Sequence, residues 1–84
     1  MSYEVLIRSS AEKEMDALPS VFHKRIAFKI LGLGGNPRPV GCQKLSGSDG
    51  YRIRVGDYRV LYTIDDKTAI VTIAAVGHRR EVYR

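Results

Sequence analysis

Two short stretches of the chain carry most of its candidate chemistry. The segment from Tyr51 to Tyr62 holds Arg52, Arg54 and Arg59. The C-terminal run Gly77-His78-Arg79-Arg80-Glu81-Val82-Tyr83-Arg84 adds more arginines, an imidazole and a phenol. Guanidinium groups stay protonated and cannot act as bases. They bind phosphate through paired, charge-assisted hydrogen bonds and stabilise negative charge that grows in a transition state. Tyr83 or His78 could move a proton. Fixed cations with one titratable phenol or imidazole suit cleavage of an RNA phosphodiester by its own 2′-hydroxyl, because the substrate then supplies the nucleophile. DNA lacks that hydroxyl and would be refused. A free phenol titrates near about 10, far from an ideal base at neutral pH, and surrounding arginines lower it. The catalytic candidates are Arg52, Arg54, Arg59, Arg79 and Tyr83, with His78 and Arg80 beside them as RNA-binding candidates.

The spacing of the arginines matters as much as their number. Gly56-Asp57 reads as a two-residue hairpin loop of the Gly-X kind. Val55 then lies opposite Tyr58, Arg54 opposite Arg59 and Ile53 opposite Val60. Side chains alternate between the faces of a strand, so Ile53, Val55, Tyr58, Val60, Tyr62 and Ile64 share an apolar face. Arg52, Arg54 and Arg59 share the other, with Leu61 and Thr63. Like charges set directly opposite destabilise a sheet by a few tenths of a kcal/mol up to about 1 kcal/mol. Folding does not ask for that arrangement, and a bound phosphate would relieve it. The plainer alternative is a solvated face whose arginine stems cover apolar atoms.

The elements that must position these residues follow from periodicity. Tyr3 to Arg8 reads as a strand. Ser9 offers a helix N-cap, with Glu12 at capping-box distance. Ala11, Met15 and Leu18 form one apolar stripe, and Pro19 ends that helix. Ser20 can cap a second helix with Phe22, Ile26, Ile30 and Leu33 on one face, stopped by Gly32, Gly34 and Gly35. Residues Gly34 to Gly50 read as a long loop with Leu45 as its anchor into the core. Three strand signals follow: Tyr51–Val55, Tyr58–Ile64 and, after the turn Asp65-Asp66-Lys67, Thr68–Val76. The order β-α-α-β-β-β predicts an α+β fold, a helical hairpin packed on one face of a small, mainly antiparallel sheet, as a single domain over residues 1–84.

Composition narrows the chemistry further. An 84-residue chain buries only around 60% of its unfolded surface, so an elaborate enclosed pocket is not expected. The net charge is +5, and no acidic residue occurs from Ala17 to Ser48, where Lys24, Arg25, Lys29, Arg38 and Lys44 all fall. Such a field favours polyanions, and Lys24, Arg25, Arg38 and Lys44 are further RNA-binding candidates. Cys42 is the only cysteine, and His23 and His78 are the only histidines. No internal disulfide can form, and no metal or other cofactor is expected. No long apolar run is present, so the cytoplasm is the expected location and no membrane contact is expected. Gly32 to Gly35 follows a helix where a phosphate-cradling loop would open one. Ser46 lacks a His–acid set, and Glu12, Glu14 and Asp16 read as solvated acidic turns.

Three stretches together resemble a known family. Lys44-Leu45-Ser46-Gly47, Tyr51-Arg52-Ile53-Arg54-Val55-Gly56-Asp57-Tyr58-Arg59-Val60-Leu61-Tyr62 and Val76-Gly77-His78-Arg79-Arg80-Glu81-Val82-Tyr83 look like the RelE toxins of the RelE/ParE superfamily, over nearly the whole chain. The resemblance implies the toxin of a type II toxin–antitoxin system: a metal-independent endonuclease that cuts mRNA in the ribosomal A site, with mRNA and rRNA as partners. It also implies a monomer when alone, and a hetero-oligomer with a cognate RelB-like antitoxin that wraps and neutralises it. By resemblance, the basic pair of the Tyr51–Val55 strand falls on Arg52 and Arg54, where RelE proteins often carry lysine. The phosphate-binding arginine falls on Arg59, the arginine after the glycine on Arg79, and the terminal tyrosine on Tyr83. Only Arg84 follows Tyr83, so Arg79 and Arg80 could exchange roles. Alternatives of the same fold are a non-enzymatic ParE-like toxin that binds DNA gyrase, and a relative that binds RNA or a partner without cutting.

Overall fold

A computed structural model describes residues 2–46 and 49–78. In chain order the elements are β1 (Glu4–Ile7), α1 (Ser9–Asp16), α2 (Ser20–Gly32), β2 (Gln43–Lys44), β3 (Gly50–Val55), β4 (Tyr58–Asp65) and β5 (Ile70–His78). The five strands form one sheet in the order β1-β5-β4-β3-β2. β1 runs parallel to β5, and every other pairing is antiparallel. The α+β architecture is the expected one, with an added two-residue strand where a loop was expected throughout.

Gly56 sits at φ +61° while Asp57 keeps a negative φ. That is the pattern of a type II′ turn, whose first central position requires glycine. The turn sets Val55 against Tyr58, Arg54 against Arg59 and Ile53 against Val60. The β4–β5 pairing slips between Leu61, opposite Ala75, and Tyr62, opposite Ile73. Ala74 is thereby the extra residue of a bulge.

One face of the sheet packs on the helices. Ala11 and Met15 from α1, Ile26 and Ile30 from α2, and Leu33 meet Ile53, Val55, Val60, Tyr62, Val71, Ile73 and Val76 in one core. The serine caps do not form. Both helices begin at the serine itself, with Arg8 and Pro19 in the capping positions and no side-chain cap bond. Pro19 forces Leu18 out of the helical region. Its carbonyl then accepts the His23 N–H at 3.0 Å. Glu14 is not merely solvated: its Oε1 accepts the Val76 N–H at 3.0 Å, satisfying backbone that β1 has left bare.

Leu45 is half-buried outside this core, so it does not anchor the loop. Pro37, Arg38 and Cys42 do. Pro37 is buried, and its carbonyl accepts the Tyr62 hydroxyl at 2.8 Å. Arg38 donates to both Asp66 carboxylate oxygens, at 3.2 and 2.9 Å, and to the Tyr51 hydroxyl at 3.2 Å. Its guanidinium also lies 5.2 Å from the Tyr51 ring centroid. The Tyr3 hydroxyl completes the tie, donating to Asp66 at 2.6 Å. This cluster joins the loop, the β1 entry and the β4–β5 turn. No helix among the described residues is long and apolar enough to cross a membrane.

Hydrogen bonds from Arg38 and Tyr3 hold the Asp66 carboxyl below its usual range, and the bond to Asp66 raises the Tyr3 phenol. A depressed carboxyl contributes stability above its unfolded value of about 3.9 and loses it as pH falls through the lower folded value. Comparing urea midpoints of the wild type with Asp66→Asn should therefore show a wild-type advantage at pH 7 that shrinks below about pH 4. A gap unchanged into acid would mean that the tie contributes nothing. Tyr62→Phe should cost about 1–3 kcal/mol by equilibrium unfolding, since it strands the Pro37 carbonyl.

Candidate nucleic-acid interface

The sheet face turned away from the helices is where the arginines meet. Arg54 on β3 and Arg59 on β4 are directly paired, and Arg52 follows two residues along β3 on the same side. Arg54 is exposed, while Arg52 and Arg59 are half-buried. The Arg59 Nε is sealed from solvent, which restricts how its guanidinium can turn. On the other side of Arg59 stands Gly77, and beyond it Ala75 faces Leu61. On β5 these small residues place only a hydrogen beside Arg59 and a methyl beside Leu61, a low shelf among the described residues. Arg52 donates to the side-chain oxygen of Gln43, its register partner on β2. Gln43 was not singled out from the sequence; a two-residue strand is too short to show periodicity.

This geometry can hold a phosphate between guanidiniums of adjacent strands and stabilise charge developing on it. Arg52, Arg54 and Arg59 supply fixed cations and no proton acceptor near neutral pH; Asp65 ends the same face of β4, at the far end of the strand from Arg59. No group of three or more potential metal ligands occurs among the described residues either.

Not every candidate joins the arginines. His78 lies two residues beyond buried Val76, so alternation sends it to the helix side. There it pairs with Tyr58, the rings edge-on with centroids 6.0 Å apart, and Phe22 packs 4.9 Å from Tyr58. Lys44 is the register partner of Tyr51, which faces the helices, so it too points away from the arginine face. Arg38 is held by Asp66 and Tyr51 at the opposite end of β3 from the hairpin. Lys24 and Arg25 lie on α2 but approach from around the β3 edge: with Phe28, Lys29 and Arg54 they line one open cavity. Arg79, Arg80 and Tyr83 lie outside the described residues.

Comparison with known proteins decides the family. The family model described as the ParE toxin of the type II toxin–antitoxin system parDE matches residues 5–83. The chain belongs to the RelE/ParE superfamily of type II toxins. Within it, the chain is 33% identical to toxin RelG of Mycobacterium tuberculosis, over 100% of this chain and 99% of the relative. Its fold superposes on the archaeal RelE–RelB complex from Pyrococcus horikoshii with a TM-score of 0.86 at 31% identity, covering 98% of this chain and 100% of that one. For the isolated E. coli RelE toxin the TM-score is 0.80 at 30% identity, with 98% and 92% covered. The RelE-like toxin that the motifs suggested is thus the family found, and solved relatives include complexes with RelB antitoxins.

If Arg54 faces Arg59 without a folding motive, removing one charge should stabilise the sheet. Arg54→Thr is expected to raise the free energy of unfolding by a few tenths of a kcal/mol up to about 1 kcal/mol. The gain should shrink when phosphate is added to the wild type. A variant less stable than the wild type would point to a structural role for the pair.

Proposed function

We propose that this toxin is a metal-independent endoribonuclease that cuts mRNA in the ribosomal A site and so inhibits translation. The observation that carries the reading is the direct cross-strand pairing of Arg54 with Arg59, with Arg52 on the same face and the glycine shelf of β5 beside them. Arg59 and Arg54 grip the scissile phosphate, and Arg52 and Arg79 add charge stabilisation as the transition state forms. The 2′-oxygen attacks phosphorus, the bond to the 5′-oxygen breaks, and the products are a 2′,3′-cyclic phosphate and a 5′-hydroxyl. One proton leaves the 2′-hydroxyl and one reaches the departing oxygen. With His78 on the helix side of the sheet, Tyr83 is the residue assigned to proton transfer. Arg80, Lys24 and Arg25 contribute attraction to mRNA or rRNA.

The proposed cellular setting is the cytoplasm. The protein is a monomer when alone and a hetero-oligomer with a RelB-like antitoxin. An acidic antitoxin segment laid over Arg52, Arg54 and Arg59 would silence the toxin by occupying its phosphate grip. The ParE description of the matching family model supports a second reading, a non-enzymatic contact with DNA gyrase.

Added to a translating extract, the wild type should cut messages inside ribosomes, read by primer extension. Arg59→Ala should slow cutting at least about a hundredfold, the scale of losing one transition-state charge stabiliser. Intact messages together with inhibited gyrase supercoiling would replace the nuclease reading with the ParE one.

A further inference from the structure

The cavity between α2 and the β2-side edge of β3 shares only Arg54 with the grip described above. It has a volume of about 490 Å³, and its side chains include Lys24, Arg25, Phe28, Lys29 and Arg54. Phe28 is 78% exposed. Lys24 lies four residues before Phe28 and Arg25 three before it, on the same side of α2; the Arg25 guanidinium sits over the Phe22 ring, and Lys29 joins Lys24 and Phe28 in lining the cavity. The segment from Ala17 to Ser48 offers no acidic residue to neutralise them. The ion pairs among the described residues join His23 to Asp16 and Arg38 to Asp66, leaving Lys24, Lys29 and Arg54 without an acidic partner. An exposed aromatic ring among unpaired cations is the arrangement that holds single-stranded nucleic acid, the base on the ring and the backbone among the charges.

Arg54 connects this cavity to the arginine face, because it lines the one and faces Arg59 on the other. β2 covers only Tyr51 and Arg52 of β3, so among the described residues no strand lies along the β2-side edge of Ile53–Val55, which β4 pairs on its other side. We propose that Phe28, Lys24, Lys29 and Arg54 form a second nucleotide subsite, which takes a nucleotide flanking the scissile phosphate of a single-stranded RNA. Its base stacks on Phe28, and its phosphate lies among Lys24, Lys29 and Arg54. The inference rests on the reading of Arg54 and Arg59 as the phosphate grip. It adds that substrate binding extends around the β3 edge, onto an aromatic surface that adds affinity while tolerating every base.

The test uses the full chain and a short 2′-O-methyl RNA oligonucleotide, which cannot be cut, with binding followed by fluorescence anisotropy over a salt series. Phe28→Ala should weaken binding roughly fivefold or more, while Phe28→Tyr should stay within about twofold of wild type. Lys24→Ala and Lys29→Ala should each lower the slope of log affinity against log salt by roughly 0.7, one phosphate contact on a single strand. These positions are exposed, and matching thermal melts would show that the variants fold. Unchanged affinity and slope in all three alanine variants overturn the subsite, as does a wild type that does not bind the oligonucleotide at low salt. Variants that lose the antitoxin but keep RNA also overturn it, and give the face to a protein partner. Message cutting by Arg59→Ala separates the two failures. If that variant is inactive while the α2 variants bind normally, the subsite alone is wrong; if it cuts like wild type, the phosphate grip is wrong as well.

Discussion

The two-residue turn at Gly56-Asp57 is the constraint from which the site follows. A strand presents alternate residues to opposite faces, so a slip of one residue exchanges the two faces completely. With Gly56 holding φ +61°, the turn permits one register. Ile53, Val55, Val60 and Tyr62 go into the core, and Arg52, Arg54 and Arg59 go to the outer face. A one-residue slip would turn apolar side chains to water, at well above the cost of opposing two arginines, and a two-residue slip, which keeps the faces, would give up the glycine turn. Core burial thus enforces an arrangement that electrostatics alone would resist.

The rest of the molecule keeps that face clear. The long segment between α2 and β3 could have fallen across the sheet. It is drawn instead to the helix side and to the far end of β3 by the Tyr62 bond to Pro37 and by the Arg38–Asp66–Tyr3 tie. The arginine at 38 is therefore spent on architecture. Gly77 and Ala75 do the complementary work on β5, placing hydrogen or methyl beside Arg59 and Leu61 where larger groups would fill the shelf. The family's partners sharpen the point. A face that attracts one polyanion also attracts an acidic protein segment, so the proposed RNA grip would also give an antitoxin a simple means of control.

What was legible in the sequence was whatever depends on short-range periodicity. The hairpin register, both helix stripes and the helix-facing side of the sheet follow from residues a few positions apart, and the structure has them. The capping serines were misread because Ser9 and Ser20 compete with Arg8 and Pro19, whose extended backbones turn the chain into each helix. The loop anchor was misread because Leu45 is the most apolar residue nearby, whereas the segment is held by hydrogen bonds from Tyr62 and Arg38 to partners distant in sequence. His78 and Lys44 were grouped with the arginines by charge alone. Counting in twos from Val76 and Tyr51 puts both on the other face, but that count needs the β4–β5 and β2–β3 pairings, and the bulge at Ala74 breaks simple alternation along β5.

These placements divide the work of the site. A grip made of guanidiniums keeps its charge across the whole physiological range, so its hold on phosphate should vary little with pH. It contributes no proton acceptor. With His78 behind the sheet against Tyr58, the imidazole that would most easily serve at neutral pH is separated from the phosphate by the sheet itself. On the proposed nuclease reading, proton transfer then falls to Tyr83. The proposal therefore divides binding and proton transfer between different parts of the chain. A substitution among Arg52, Arg54 and Arg59 acts first on the grip and the charge of the transition state. On the same proposal, a change at Tyr83 acts on the chemical step.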